Sequence, residues 1–182
     1  MNTYIVLLRG INVGGRNKLL MKELIVILEE LGCVNVKTII QSGNVVLQSN
    51  NNKAAELSEN ISQAINQQYD FEPHVHILTT KDLQQAIDNN PFPDAKLDPN
   101  TLHFGFLEAI PSLPNLVKLE DLKVPSESYQ LINKVFYLNA PDGIGRSKLA
   151  AQSEKALGVS MTSRNWRTVE KIQDMLRALE KR

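Results

Sequence analysis

The sequence predicts an α+β protein that consists of two ferredoxin-like (βαββαβ) subdomains in tandem, followed by a C-terminal helix. Two observations lead to this prediction. Short runs of β-branched and apolar residues alternate with segments of helical periodicity, and the order of these elements in the first half recurs in the second. The 182 residues are 42% hydrophobic, which is enough to form one core or two small ones.

The first half of the chain predicts the order strand, helix, strand, strand, helix, strand. Leucine and isoleucine at helical spacing mark the helices, Gly32 ends the first of them, and the turn at residues 41–43 joins two β-branched strands into a hairpin. We predict strands at residues 4–8, 34–40, 44–48 and 73–78, and helices at about residues 20–31 and around residues 57–65.

The second half predicts the same order after a helix near residues 81–88 and a polar loop at 89–100 that contains three prolines. We predict strands at residues 102–107, 128–132, 135–139 and 159–163, and helices at 116–122, 147–157 and about 165–180. The predicted domain boundaries are therefore 1–79 for the first subdomain, 80–100 for the helix and linker, and 101–182 for the second subdomain with the C-terminal helix.

Charge and cysteine content restrict the classes of partner and compartment. The chain has 20 basic and 20 acidic residues, so no global field draws it toward nucleic acid or an anionic membrane. A single cysteine, Cys33, excludes an internal disulfide framework, and we expect it to be a buried small hydrophobe. The sequence shows no signal-like h-region and no apolar run near the ~20 residues of a membrane helix. We therefore expect a cytoplasmic protein with no membrane partner.

The first loop, at residues 10–18, is the most informative candidate site. It connects a predicted strand to a predicted helix, and a glycine-rich turn at a helix N-terminus can present N–H groups and a positive dipole end to an anion. The spacing Gly10-x-x-x-x-Gly15 matches a P-loop, but Arg16-Asn17 replaces the Lys-Ser/Thr pair that contacts phosphate and Mg²⁺. NTP hydrolysis is therefore not expected.

Two later segments resemble this loop in charge and position. Residues 143–149 repeat the form Gly-Arg-polar-Lys-Leu found at residues 15–19, and together the segments 9–22, 143–149 and 160–169 hold eight cations and no acidic residue. If they converge, they form one anion site. The predicted ligand-binding residues are Arg9, Asn12, Gly14, Gly15, Arg16, Asn17, Lys18, Gly145, Arg146, Ser147, Lys148, Arg164, Asn165 and Arg167. The alternative is that the glycines only shape turns and the polar residues only cap helices.

Four segments of the chain form a further pattern: residues 8–15 (LRGINVGG), 40–46 (IQSGNVV), 143–149 (GIGRSKL) and 164–168 (RNWRT). In sequence and in order along the chain they resemble the hallmark segments of a bacterial family, domain-of-unknown-function family 1697. The resemblance implies a small soluble α+β protein of two ferredoxin-like subdomains, and it implies no activity.

The remaining signals are weaker. The spacing His74-x-His76 can bind a metal, but no third ligand is evident in the sequence, so a solvated strand face is favoured. Ser42 lacks the His and Asp partners of a serine hydrolase. Phe104-Gly105-Phe106 and Trp166 are better explained by core packing than by RNA stacking. We predict no metal and no cofactor, and leave catalytic residues, enzymatic activity and oligomeric state open. The leading hypothesis is binding of a small anionic or phosphorylated ligand; the alternatives are a nucleic-acid-binding module and a structural or partner-binding protein.

Overall fold

The structure is a computed structural model that describes residues 1–180. Its elements alternate between helices and strands along the chain. In order they are β1 (Asn2–Arg9), α1 (Met21–Glu30), β2 (Val34–Ile39), β3 (Asn44–Ser49), α2 (Ala54–Tyr69), β4 (His74–Thr79), α3 (Thr80–Asp88), a 3-10 turn (Pro93–Leu97), β5 (Leu102–Leu107), α4 (Leu116–Leu122), β6 (Ser128–Ile132), β7 (Val135–Asn139), a second 3-10 turn (Ile144–Arg146), α5 (Lys148–Leu157), β8 (Met161–Asn165) and α6 (Trp166–Glu180).

The chain divides into two compact units. The first consists of Met1–Gln84 and of the described residues from Lys171 to Glu180, and the second of Gln85–Glu170. Each contains one four-stranded antiparallel sheet, in the order β2-β3-β1-β4 in the first unit and β6-β7-β5-β8 in the second. This strand order is the one that a βαββαβ chain produces when each helix crosses over a central strand. The predicted α+β fold of two such units with a C-terminal helix is therefore confirmed.

The first unit buries one face of its sheet under α1 and α2. The core contains Val6 and Leu8 of β1, Leu24 and Ile27 of α1, and Ile61 of α2, each 3% exposed or less. The helical residues recur every three or four positions, so they form one apolar stripe on each helix that covers the sheet. Cys33 belongs to the same core, as expected, and burial raises the pKa of its thiol.

The second unit packs α4 and α5 against its sheet. The core on this side includes Leu119 of α4, Leu149 and Leu157 of α5, and Phe136 and Leu138 of β7. The aromatic side chains of β5 lie on the opposite face: the ring centroid of Phe104 is 4.9 Å from that of Tyr137 and 5.7 Å from that of Trp166. Trp166 is buried, in agreement with the packing prediction.

Most elements include their predicted residues or differ from them by one position at an end, whereas both ends of β8 are displaced by two positions in the same direction. The local apolar pattern predicts a strand at residues 159–163, whereas the strand is Met161–Asn165. Its register with β5 explains the shift, because pairing begins at Leu107 opposite Met161 and ends at His103 opposite Asn165. Long-range pairing, and not the local apolar pattern, decides where this strand starts. Among residues 1–180, none of the helices has the length and apolarity needed to span a membrane.

The packing of the first unit leaves no room for a side chain at Gly43. Its φ is +69°, its carbonyl accepts a hydrogen bond of 2.8 Å from Leu8 N–H, and a Cβ would lie 2.7 Å from Leu8 Cβ. We expect Gly43→Ala to lower the free energy of unfolding by roughly 2–4 kcal/mol, from left-handed strain and overpacking together.

Gly14→Ala is the matched control for this prediction. Gly14 also has a positive φ, of +57°, but a Cβ at this position would point into open space, with no contact within 4 Å beyond its chain neighbours. This substitution should therefore lower the free energy of unfolding only through left-handed backbone strain, by roughly 1–2 kcal/mol. Urea denaturation of the two variants measures the difference, and equal losses would show that the contact between Gly43 and Leu8 is not tight.

Candidate functional site

The second unit contains a cavity of about 390 Å³ between its sheet and α5. Three strands, the second 3-10 turn and one helix contribute to it, and most of its lining is apolar. The lining residues are His103 and Gly105 of β5, Phe136 and Leu138 of β7, Met161 and Ser163 of β8, Ile144 and Gly145 of the second 3-10 turn, and Ser147, Ala150, Ala151 and Ser153 at and within α5. The cavity lies within the size range of sites that bind small molecules.

Strand alternation explains why these residues share one face. Side chains two positions apart on a strand point to the same side of a sheet, so β5 presents His103 and Gly105 together. Gly105 lies opposite Ser163 of β8, and His103 lies opposite Leu138 of β7. The lining of the cavity is therefore set by the register of the two strands that flank β5.

Gly105 keeps space open at the centre of this face. A Cβ at this position would overlap the sulfur of Met161 and lie 3.2 Å from the carbonyl oxygen of Phe136. The missing side chain lets Met161 lie across the strand, and a thioether side chain adapts readily to the shape of its surroundings.

His103 is the titratable side chain of the cavity lining. It is 8% exposed, and its Nδ1 lies 3.1 Å from the carbonyl oxygen of Thr101. A carbonyl only accepts, so this contact assigns the proton of the neutral ring to Nδ1 and leaves the lone pair on Nε2. Burial lowers the pKa of His103, and the bond to Thr101 partly offsets this shift. The neutral imidazole thus offers an acceptor, Nε2.

The N-terminus of α5 forms the edge of the cavity. Ser147 caps the helix, because its Oγ accepts a hydrogen bond of 2.9 Å from the N–H of Ala150. The N–H groups of Lys148 and Leu149 lie in the first turn, where a helix provides no acceptor. Arg146 and Lys148 flank the cap and are exposed. This end of the cavity therefore has a positive potential without a charged side chain in its lining.

The third basic segment divides between the two faces of the sheet. Ser163 lines the cavity, whereas Arg164 lies opposite Phe104 on the aromatic face and is outside the lining. Burial lowers the pKa of Arg164 to about 10, and its guanidinium donates to the carbonyl of Ser163 at 2.9 Å. Asn165 caps α6 by accepting hydrogen bonds from the N–H and hydroxyl of Thr168, and Arg167 is exposed.

The opening loop forms a small hairpin, in contrast to the expected turn into a helix N-terminus. The N–H of Asn12 donates to the carbonyl of Asn17 at 3.0 Å, and the N–H of Arg16 donates to that of Val13. Gly14 and Gly15 have φ values of +57° and +77°, the signs that a type I′ turn requires. Two backbone N–H groups that an anion site could use are therefore bonded within the loop.

The loop is also tied to its surroundings by the two asparagines predicted to bind a ligand. Asn12 Nδ2 donates to the carbonyls of Leu19 and Gln41, each at 2.8 Å, while its Oδ1 accepts from the N–H of Leu19. Asn17 Nδ2 donates to the carbonyl of Gly10 at 2.7 Å. The contact with Gln41 joins the first hallmark segment to the second. Both asparagines thus have a structural role.

The cations of the opening loop remain at the surface. Arg9, Arg16 and Lys18 are exposed. The helix that follows has an acid in its first turn, since Glu23 Oε2 accepts from the N–H of Leu20 at 3.3 Å. Glu23 lies one residue beyond the acid-free segment, and its charge occupies the helix end that was expected to attract an anion.

The histidine pair of β4 differs from the sequence-based expectation. The sequence favours a solvated strand face, but His76 is buried, with 8% exposure, and only His74 is partly accessible. The expectation is wrong for His76 because its side chain projects from a covered face of the sheet, where its neighbour on β1, Leu7, is fully buried.

Sequence reasoning missed His103 as a site residue. A histidine inside an apolar strand, two positions before a glycine, was a usable signal, because alternation places the two on one face. That α5 leaves a cavity over this face depends on how helix and sheet pack, which no spacing along the chain encodes.

Comparison with known proteins shows that the chain is similar to a protein family and to a solved structure. The family model described as "Protein of unknown function (DUF1697)" matches residues 1–137. The structure of the conserved bacterial protein SP0830 from Streptococcus pneumoniae is similar with a TM-score of 0.75 and 27% sequence identity. The alignment covers 96% of this chain and 98% of that protein. No curated protein sequence matches this chain significantly.

Asn12 is expected to contribute to stability through its side chain. Asn12→Gly retains the positive φ of +53° but removes three side-chain hydrogen bonds. We expect a loss of roughly 2–3 kcal/mol in the free energy of unfolding, at about 1 kcal/mol per bond. Asn17→Gly, which removes one bond at a φ of +50°, should lose about 1 kcal/mol. Chemical denaturation distinguishes the two, and equal effects would contradict the structural role of Asn12.

His103 is expected to make stability depend on pH. Because folding lowers its pKa, the unfolded chain takes up a proton near pH 6.5 that the folded chain does not bind. The stabilisation is complete above pH 6.5 and decreases as the pH falls toward the lowered pKa, by at most about 1.4 kcal/mol per pH unit. His103→Gln removes the titration, so its stability should fall less steeply below pH 6.5 in urea denaturation. Parallel pH profiles of the two proteins would refute this.

Proposed function

The chain belongs to the DUF1697 family of proteins of unknown function, and from the geometry of its second unit we propose that it binds a small organic anion in the cavity at the N-terminus of α5. One observation carries the proposal: the cavity of about 390 Å³ is bordered by Gly145 and Ser147 from one acid-free basic segment and by Ser163 from another. Two segments selected by charge in the sequence thus border one space.

The negative charge of the ligand belongs at the helix end of the cavity. Ser147 uses its oxygen to cap α5 and keeps its hydroxyl hydrogen available as a donor. The first-turn N–H groups and the exposed cations Arg146 and Lys148 favour an anion at this end, each by roughly 0.3–1 kcal/mol. Gly145 lets the backbone approach the ligand without a side chain between them.

The rest of the ligand is apolar and compact. Of the described residues, those that line the cavity have no formal charge at pH 7, and Phe136, Leu138, Met161 and the two alanines of α5 supply a hydrocarbon surface. A fully hydrated inorganic ion would leave this surface uncovered, whereas an organic body of about one ring would bury it.

The other predicted ligand residues have different places in this proposal. Asn165 caps the start of α6, Arg167 is exposed in its first turn, and Arg164 lies on the opposite face of the sheet. The opening-loop residues belong to the first unit and are not assigned to this cavity. The balanced charge of the chain favours a small ligand over nucleic acid, and the free thiol Cys33 fits a cytoplasmic location.

Binding can be tested with anions of graded length and with their neutral counterparts. We would titrate the protein with benzoate, phenylacetate, 3-phenylpropionate and phenyl phosphate, and follow the backbone amide signals of Gly145, Ser147 and Ser163 by NMR. At least one anion should shift these signals at about 10 mM and bind more tightly than its amide analogue.

Paired variants separate cavity binding from surface adsorption. Ala151 lines the cavity and is exposed, whereas the next residue, Gln152, is exposed and does not line it. Ala151→Leu should weaken binding about tenfold or more by filling the space, and Gln152→Leu should leave it unchanged. Replacing Arg146 and Lys148 by alanine should weaken binding about two- to tenfold, and Lys155→Ala, at the other end of α5, should have little effect.

The opposite results would refute the proposal. If none of the four anions shifts the cavity signals, or if Ala151→Leu and Gln152→Leu bind alike, the cavity is not a ligand site. Salt-dependent binding of mixed RNA that survives Ala151→Leu would favour the nucleic-acid alternative instead.

A further inference from the structure

His103 and the N-terminus of α5 lie at the same end of the cavity. His103 pairs with Leu138 near the end of β7, where the chain leaves the sheet toward Ser147, the cap of α5. The carbonyl of Thr101 links the two, because it accepts a hydrogen bond of 2.9 Å from the N–H of Ala140 and lies 3.1 Å from His103 Nδ1. The imidazole is therefore held beside the segment that begins α5.

The other end of the cavity is apolar. Gly105 and its partner Phe136 lie two positions further along β5, and the thioether of Met161 lies beside them. Ser153, in the second turn of α5, donates its hydroxyl hydrogen to the carbonyl of Ala150. The N–H groups and positive potential that hold an anion are at the end where α5 begins, so the charge of a ligand belongs at the end that also contains the imidazole.

An anion at this end has an unfavourable neighbour in the neutral imidazole of His103. With its proton on Nδ1, the ring presents the lone pair of Nε2, and a carboxylate oxygen also has only lone pairs to offer. Two acceptors at one place repel each other unless a proton lies between them. Proton uptake makes Nε2 a donor and gives the ring a positive charge, which turns the repulsion into a charge-assisted hydrogen bond.

We infer that the organic anion bound in this cavity is accompanied by one proton, which Nε2 of His103 takes up from solvent. The imidazolium then donates one hydrogen bond to the anion through Nε2 and keeps the other, from Nδ1, to the carbonyl of Thr101. This inference rests on the proposed function and adds a form of regulation to the same site, because a fall in pH strengthens binding. His103 becomes a second anchor for the negative charge, beside the start of α5.

His103 is the group of the described cavity lining that titrates near neutral pH. The residues that face it are neutral, and Asn165 lies opposite it on β8. The charged residues of the surrounding elements are outside the lining: Asp98 before β5, Glu127 before β6, Asp142 before α5, Arg146, Lys148, Glu154 and Lys155 at and within α5, and Arg164 of β8.

The direction of the pH effect follows from the two states of the ring. Burial lowers the pKa of His103 in the free protein, and a bound anion raises it because the anion stabilises the imidazolium. The affinity for the anion is therefore constant at high pH and increases as the pH falls through the pKa of the complex. It becomes constant again below the pKa of the free protein.

Calorimetry measures the proton uptake directly. We would titrate the protein with benzoate, phenylacetate and 3-phenylpropionate at about pH 8 and about pH 6, in pairs of amine buffers that differ in ionisation enthalpy. These acids stay ionised over this range, since a carboxyl group titrates at about pH 4. The acid that binds best should take up a large fraction of one proton at about pH 6 and almost none at about pH 8. Its affinity should be about three- to tenfold higher at the lower pH. Its amide analogue should take up no proton, because an amide N–H can donate to the neutral ring.

Three variants identify the group that takes up the proton. His103→Gln retains a donor that does not titrate, so binding should be independent of pH and without proton uptake. His103→Leu removes the donor and should weaken binding at about pH 6. His74→Gln, in β4 of the first unit, is the matched control and should retain the pH dependence. Amide spectra report whether each variant is folded, and proton uptake by the wild-type protein remains decisive if one is not.

The outcomes separate this inference from the proposed function. If an acid binds in the cavity with equal affinity at both pH values and without proton uptake, the inference is overturned while the proposed function stands. Proton uptake that persists in folded His103→Gln would also overturn it, because another group would then accept the proton. If no acid binds at either pH, the proposed function fails, and this inference fails with it.

Discussion

The antiparallel pairing of β5 with both β7 and β8 is the constraint on which the second unit depends. Because side chains alternate along a strand, β5 sends His103 and Gly105 to the face under α5, and Phe104 and Phe106 to the other. A register slip of one residue in either neighbour would exchange its faces, and in β8 it would bring Arg164 in place of Ser163 to the cavity. The composition of the site is therefore a consequence of sheet register.

Two segments of similar sequence serve different structural purposes. At residues 15–19 the pattern Gly-Arg-polar-Lys-Leu belongs to a hairpin, where Asn17 bonds back to Gly10. At residues 145–149 the same pattern leads into α5, where Ser147 is the N-cap. Asparagine at a positive φ favours the turn, and a serine hydroxyl with an extended backbone favours the cap. Asn17 in the first segment corresponds to Ser147 in the second, and this single difference accompanies the change from a hydrogen-bonded hairpin to a helix N-terminus.

The sequence predicted much of the fold and less of the site. The predicted strands at 102–107, 128–132 and 135–139 coincide with β5, β6 and β7, because their apolar runs are bounded by turns. The limits of β8 are displaced from the prediction, since they depend on pairing with β5. The charge context placed Ser147 among the predicted ligand residues. His103 was not among them, because its neighbours in the cavity are distant in sequence and contribute neutral side chains.

The sequence by itself determined the two βαββαβ units, the compensated charge, and the concentration of cations in three acid-free segments. These properties follow from local periodicity and composition, and both are determined directly by the order of residues in the chain. Only the tertiary structure decided that the opening loop closes on itself through Asn12, that Arg164 lies on the sheet face opposite the cavity, and that a neutral His103 lies in a cavity beside the cap of α5. Those outcomes depend on strand register and helix–sheet packing between residues far apart in the chain, and spacing along the sequence does not specify them.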